Sequence, residues 1–366
     1  MHYFSSLIKP ASSLCNMRCK YCFYADVTEH RQIKSYGLME IETAKIFIDR
    51  VFEYLKEQTA ITFAFQGGEP TLAGLPFYCD FVEYARSRMP SGFSISYSIQ
   101  TNGYTIDEEW CRFFFENDFL VGISLDATKE IHDFYRKDAA DDGTYQRVIK
   151  SMRLMEKFKV KFNVLSVISR EFARHPAAVY NAYKKNNIEY VQMIPCLNPF
   201  DKDLDPKTDL TPEIYAEFMK NIFSFWEDDM KKNKVIHIRE FENIISRIRG
   251  ENSEQCGSMG YCVPQFVLEA DGSVYPCDFY VLDKYRAGSV IENPISEIEK
   301  SDGMKNFIIY KEKEHPLCET CRVYKICRGG CKRNRGFFRT NKSYCPYQDF
   351  LYSAIDRFVE IAGNYN

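Results

Sequence analysis

The segment SSLCNMRCKYCFY, residues 12–24, brings Cys15, Cys19 and Cys22 into eight positions. Thiolates at that density hold metals or do redox chemistry. Structural zinc takes four protein ligands, whereas three thiolates from one loop suit a 4Fe-4S cube that leaves one iron open to a further ligand. A zinc loop completed by a distant cysteine is the alternative reading. A second candidate is QGGEP, residues 66–70. Paired glycines allow backbone amides and carbonyls to approach a ligand closely, and Glu69 can accept hydrogen bonds from an ammonium group.

Eight of the fourteen cysteines fall between residues 256 and 345: Cys256, Cys262, Cys277, Cys318, Cys321, Cys327, Cys331 and Cys345. They make two sets of four, which fits two closed iron-sulfur clusters or two zinc sites, because CxxC knuckles serve both metals. Asp278 directly follows Cys277. A carboxylate there faces a partly dry site where burial and nearby sulfur would raise its pKa and equip it to take a proton, although an aspartate capping a turn is the plainer reading. Cys79 and Cys111 lie in helix-like apolar stretches and are expected in the core, and Cys196, near a strand end, is expected to pack rather than react.

The bulk properties exclude several classes. With 366 residues and 45% hydrophobic content the chain can build one large and one smaller core, and disorder is not expected. A formal net charge of -3 gives no global reason to bind nucleic acid, and no run of about 18 apolar residues predicts a membrane span. The start MHYFSSLIKPASS lacks the basic end, apolar run and cleavage site of a secretory signal, so a cytoplasmic protein is expected. Fourteen cysteines in such a chain point to metal or redox chemistry rather than disulfides. Arg322, Lys325, Arg328, Lys332, Arg333 and Arg335 interleave with the distal cysteines, and are read as offsetting cluster charge rather than as an RNA patch.

The elements that position these groups follow from the patterning. Six β-branched runs, SLIKP, TFAFQGG, SISYSIQTNG, FLVGISLDA, KFNVLSVIS and YVQMIPCL, alternate with amphipathic stretches, the rhythm of repeated βα units. Helix starts are expected at Thr105 with Glu108 three residues on, and at Thr211 followed by Pro212. Six units are too few for a closed eight-unit barrel, so the expected class is α/β, a partial (β/α)6 barrel over residues 1–234. The first cysteines then sit at the C-terminal end of a barrel strand, where such folds build active sites. Residues 235–366 are read as a linker and a cysteine-rich module, in which QFVLEADGSVYPCDFY forms a hairpin turning at Asp271-Gly272.

The spacing CxxxCxxC, with Tyr21 before the last cysteine, resembles the radical S-adenosylmethionine superfamily. The resemblance implies that the open iron binds S-adenosylmethionine and that one electron cleaves it to a 5'-deoxyadenosyl radical; the cofactor carries the hard chemistry. It also implies cofactor contacts at Tyr21, Gly68, Glu69, Ser124, Arg136 and Leu197. The distal cysteines resemble the SPASM extension of peptide-modifying radical enzymes. On that resemblance one auxiliary 4Fe-4S cluster takes Cys256, Cys262, Cys277 and Cys331, and another takes Cys318, Cys321, Cys327 and Cys345, giving three clusters in all.

Across nearly the whole length, in LIKPASS, YCFY, FAFQGGEPTLAG, SIQTNG and CDFYVLDK, the chain resembles the anaerobic sulfatase-maturating enzymes. That likeness implies oxidation of a cysteine or serine in a sulfatase polypeptide to Cα-formylglycine, with Asp278 as catalytic base and Tyr24, Gln66 and Arg239 near the substrate peptide. It further implies a low-potential electron donor such as flavodoxin or ferredoxin. Two alternatives stand beside it: another SPASM enzyme forming thioether or carbon-carbon crosslinks, and a non-catalytic zinc or electron-transfer protein. Many crosslinking enzymes carry a leader-binding domain ahead of the first cluster, whereas 14 residues precede Cys15 here.

Overall fold

The computed structural model describes residues 2–309, 315–338 and 341–364. Ten strands occur among them: β1 His2–Ile8, β2 Thr59–Phe65, β3 Ser94–Thr101, β4 Leu120–Ser124, β5 Lys161–Ile168, β6 Tyr190–Pro195, β7 His237–Ile238, β8 Val267–Leu268, β9 Ser273–Tyr275 and β10 Gly288–Ser289. The first six are the six runs read from the sequence. The chain divides into two compact units, one of Met1–Ser124, Asp133–Phe162 and Val263–Tyr310, the other of Leu125–His132, Asn163–Cys262 and Lys311–Asn366.

In the first unit the strand order is β10-β9-β8-β1-β2-β3-β4. β1, β2, β3 and β4 pair in parallel, as βα crossovers require. β2 alternates between fully and partly buried residues, with Ile61, Phe63 and Phe65 turned inward against Phe81 and Phe119. Each such ring contributes about 1.5–3 kcal/mol on burial, which gives the strand ends a stiff support. The hairpin read at Asp271-Gly272 is present, with β8 and β9 antiparallel and Gly272 at φ 85°. A pairing not read from the sequence follows from it: β8 lies parallel to β1, with Leu7 opposite Val267 and Ile8 opposite Leu268.

That register decides the site. Lys9 is the first residue past β1, Gln66 the first past β2 and Glu269 the first past β8, so three chemically able side chains emerge at neighbouring strand ends. Lys9 N donates to Leu268 O at 2.8 Å and Gln66 N to Ile8 O at 2.9 Å, extending the ladders one step beyond the strands.

In the second unit β5, β6 and β7 are parallel neighbours. Helix Pro212–Met230 starts as expected, with Thr211 accepting from Ile214 N and Pro212 in the first turn. It packs with helices Arg239–Ile248 and Pro346–Asn364 through Phe223, Trp226, Phe241, Phe350 and Phe358. Two local expectations are corrected. Helix Glu108–Glu116 is capped by Asp107, whose carboxylate accepts from Trp110 N, rather than begun by Thr105; the Thr105 hydroxyl bonds Thr71 instead. Cys111 is buried, but Cys79 is exposed, on the outer face of helix Leu75–Arg88.

Candidate active site

The cysteine loop leaves β1 at Lys9 and returns to helix Phe23–Glu29, with Cys22 as the residue before its first turn. It is pinned on two sides within the first unit. Arg18 N donates to Lys137 O and Lys20 N to Tyr135 O, at 2.7 and 2.9 Å. On the other side Gly68 N donates to Ser12 O and Glu69 N to Leu14 O, at 2.9 and 2.7 Å. The paired glycines therefore serve the cysteine loop itself, with two consecutive amides from Gly68 and Glu69 spent on holding it.

Glu69 is fully buried. Its Oε1 accepts from Thr71 N, Thr71 Oγ1 and Thr101 Oγ1, and its Oε2 accepts from Asn102 N at 2.8 Å. Burial raises the pKa of this carboxyl, while the hydroxyl and amide donors oppose the rise. Acceptor capacity remains on Oε2, which is the atom a further cationic donor could use.

A Cβ at Gly68 would stand 2.1 Å from Leu14 O and 2.7 Å from Ser13 C, both backbone atoms that cannot swing away. Gly68→Ala must therefore push the cysteine loop off its seat. The expected result is a loss of at least about 1–3 kcal/mol in unfolding free energy, with a lower iron content after reconstitution. Denaturant melts and iron analysis of the variant check this; wild-type values in both would refute the close packing.

The donor set fits an iron-sulfur cluster. Burial pushes the Cys15 thiol up to about 12, the Met17 amide opposes this at 3.4 Å, and Glu69, Cys19 and Cys22 add further upward pressure. Cys19, Cys22 and Glu69 act electrostatically on Cys15, and a cationic group held by the three cysteines would offset that repulsion. Among the described residues, no three His, Cys, Asp or Glu side chains gather as a single metal ion requires. Tyr21 lies beside Tyr135 at 5.1 Å, and the Arg136 guanidinium stands 5.4 Å from the Tyr21 ring. Arg136 is buried. Ser124, at the end of β4, accepts from Gln100 Nε2 at 3.1 Å.

Asp278 opens a short turn, Asp278–Tyr280, directly after Cys277, and is 5% exposed. Tyr24 Oη donates to Asp278 Oδ2 at 2.6 Å and Gln66 Nε2 to the same oxygen at 3.1 Å. The residues expected near the substrate in this unit are thus joined on one carboxylate oxygen. Oδ1 has no hydrogen-bond partner among the described residues and faces the Lys9 ammonium at 3.6 Å. Burial raises the Asp278 pKa, and Lys9 and the Tyr24 hydroxyl oppose the rise without cancelling it. Burial, then the Asp278 charge, pushes the Tyr24 phenol well above its ordinary value, so it stays a donor.

The sequence reading missed Lys9, Arg31 and Glu269. Lys9 Nζ lies 3.5 Å from Glu269 Oε1, and Arg31 Nη1 donates to that oxygen at 2.7 Å. Burial disfavours the Glu269 charge, yet Lys9 and Arg31 outweigh it and hold this carboxyl below the usual range. A signal existed for Lys9 and Glu269: a lysine closing a buried strand in LIKP, and a glutamate continuing the inward face of VLEADG.

In the second unit, Cys256 opens the turn Cys256–Ser258, and a Cβ at Gly257 would meet Cys331 Cβ at 3.0 Å. Burial, then Cys331 and Cys262, pushes Cys256 up to about 11. Burial, opposed by Gly329 N and reinforced by Cys345, Cys321 and Cys318, pushes Cys327 up to about 12. The thiols of this unit therefore act on one another in two groups. Lys332 and Arg335 are buried beside them and Arg322 is exposed. Arg239 donates to Gln192 Oε1 at 2.8 Å and pairs with Glu254 at 3.4 Å, while Leu197 and Cys196 follow β6. Burial pushes the Cys196 thiol up to about 12, in keeping with a packing role.

The family model of the radical SAM superfamily matches residues 10–176, and that of the SPASM iron-sulfur cluster-binding domain matches residues 260–323. A cysteine-type anaerobic sulfatase-maturating enzyme of Clostridium novyi is 42% identical over 92% of this chain and 89% of the relative. The chain belongs to the anaerobic sulfatase-maturating enzymes. A cysteine-type relative from Clostridium perfringens is 40% identical over 98% of both chains, and a serine-type one from Bacteroides thetaiotaomicron is 29% identical over 94% of this chain and 90% of its own. The solved structure of anSMEcpe with bound AdoMet and the Kp18Cys peptide matches with a TM-score of 0.91 at 39% identity, covering 99% of each chain. With that match the α/β class and the radical SAM plus SPASM composition stand, as do S-adenosylmethionine and iron-sulfur clusters as cofactors.

Proposed function

We propose that this chain oxidises the target cysteine of a sulfatase polypeptide to Cα-formylglycine. The observation that carries the reading is the buried Asp278 carboxylate, next to Cys277 in the chain, with Tyr24 and Gln66 converging on its Oδ2. Cysteine is preferred over serine as target because identity to the cysteine-type relatives, 40–42%, exceeds that to the serine-type ones, 29–31%.

Cys15, Cys19 and Cys22 hold the radical-generating cluster, and Tyr21, Gly68, Glu69, Ser124, Arg136 and Leu197 hold S-adenosylmethionine. When bound, these groups supply a 5'-deoxyadenosyl radical that removes hydrogen from the substrate Cβ, and the auxiliary clusters supply an electron acceptor. Asp278 takes the thiol proton; its raised pKa makes it a stronger base than an ordinary carboxylate. Tyr24 and Gln66 fix which carboxylate oxygen faces the reacting thiol, and Arg239 holds the peptide. Water then converts the thioaldehyde to the aldehyde and sulfide leaves.

The auxiliary clusters take Cys256, Cys262, Cys277 and Cys331, and Cys318, Cys321, Cys327 and Cys345. The functional division follows residues 1–234 and 235–366. Reductive cleavage of the cofactor needs an electron, for which a flavodoxin or ferredoxin of the cytoplasm is the donor proposed. Among the described residues no helix is long and apolar enough to cross a membrane.

Anaerobically reconstituted protein with a peptide bearing Cys-x-Pro-x-Arg is expected to give deoxyadenosine, sulfide and a peptide lighter by the cysteine-to-aldehyde difference. The serine counterpart is expected to convert more slowly. Deoxyadenosine without any change in peptide mass would refute the substrate; a thioether or crosslinked product would favour the other SPASM chemistry.

A further inference from the structure

Lys9 occupies a position that its sequence context does not explain by packing. It is 2% exposed, and its stem runs against Gly67, where a Cβ would stand 3.3 Å from Lys9 Cβ and 3.5 Å from Lys9 Cε. Its ammonium lies between two buried carboxylates, 3.5 Å from Glu269 Oε1 and 3.6 Å from Asp278 Oδ1, and 4.6 Å from the centre of the Tyr24 ring. Both oxygen distances are beyond good hydrogen-bond length, so the ammonium is attracted to each carboxylate and locked to neither.

The charges make the arrangement informative. Lys9 and Arg31 are cations, Glu269 and Asp278 anions, and the four balance. Glu269 already has Arg31 in direct contact at 2.7 Å. Lys9 is therefore the one of these two cations that faces Asp278, on the oxygen that Tyr24 and Gln66 leave alone.

We propose that Lys9 is a positioning residue for the oxidation: its ammonium orients the Asp278 carboxylate through Oδ1 for the step in which Asp278 takes the thiol proton. The inference rests on the function proposed above. Loss of a Cβ hydrogen leaves R–CH•–SH. Transfer of the thiol proton to Asp278 neutralises the carboxylate and leaves the radical anion of R–CH=S. Loss of one electron to an auxiliary iron-sulfur cluster gives neutral thioaldehyde. Lys9 keeps its charge through all three steps and holds the carboxylate in one orientation while the thiol is presented to it.

The test compares wild type, Lys9→Met, Glu269→Gln and the double variant Lys9→Met/Glu269→Gln. Each is reconstituted anaerobically, and deoxyadenosine and aldehyde peptide are quantified over a range of Cys-x-Pro-x-Arg peptide concentrations. Lys9→Met is expected to form deoxyadenosine, but its kcat for aldehyde falls about 10²-fold with little change in the peptide KM, so product per deoxyadenosine collapses. The double variant restores charge balance and is expected to remain as defective as Lys9→Met. Recovery in the double variant would show that Lys9 merely offsets Glu269, and would overturn the proposal. So would wild-type coupling of product to deoxyadenosine in Lys9→Met. Should Lys9→Met fail to fold, the charge-balanced double variant gives the reading by the same two criteria. Wild type that makes deoxyadenosine and no aldehyde fails the function itself and takes this inference with it; wild-type product with an unaffected Lys9→Met sinks the inference alone.

Discussion

Replacing Cys15 by alanine is expected to abolish deoxyadenosine and aldehyde formation together, leaving the level of protein reconstituted without iron. Cys15 Sγ receives the Met17 amide at 3.4 Å and faces the Asn102 amide at 3.8 Å, so its position in the loop is held from two sides. Two thiolates cannot hold a cube that already leaves one iron to an outside ligand. The C-terminal cysteines still hold the two auxiliary clusters, so iron should fall by about a third, from three 4Fe-4S clusters to two, and the protein should stay brown. Iron and sulfide analysis with anaerobic spectroscopy reads both quantities. A variant that still cleaves the cofactor would remove the first cluster from its assigned place. A wild type carrying only colourless zinc would remove the radical reading altogether.

What the sequence disclosed and what it hid divide along physical lines. β-strand alternation is local, with period two, and so TFAFQGG and KFNVLSVIS announce β2 and β5 with no knowledge of their partners. Cysteine spacing is local too, which is why the loop of Cys15, Cys19 and Cys22 could be read as one donor set. Capping is local but degenerate: Thr105 and Asp107 both suit a helix start, and Thr105 was drawn off by Thr71. Helix-like patterning around Cys79 does not say which side of the helix meets the core, and here it is the opposite side.

The charged centre was hidden for a different reason. Lys9 and Glu269 are 260 residues apart and meet only because β8 pairs with β1 in one register, Ile8 opposite Leu268. A slip of one residue would turn Glu269 to the other face of the sheet. Nothing near either residue encodes that pairing. Asp278 was legible because its neighbour Cys277 advertised it, whereas its counter-ion had no such neighbour.

Asp278→Asn is the second large effect expected, and it separates the proton step from the radical step. Asparagine keeps the shape of the side chain, and its carbonyl oxygen can still accept from Tyr24 and Gln66, so peptide placement should survive. It cannot take a proton from a thiol. Aldehyde formation should therefore fall by about 10²–10⁴-fold while deoxyadenosine formation persists. The variant also leaves the buried Lys9 ammonium opposite an uncharged amide, with Glu269 shared between two cations. A loss of stability is thus expected as well, and denaturant melts should detect it apart from the kinetics. Aldehyde produced at the wild-type rate would strip Asp278 of its role as base. Loss of both deoxyadenosine and product would mean that the carboxylate builds the site rather than working in it. Deoxyadenosine made without aldehyde is the outcome that the convergence of Tyr24, Gln66 and Lys9 on this one carboxylate requires.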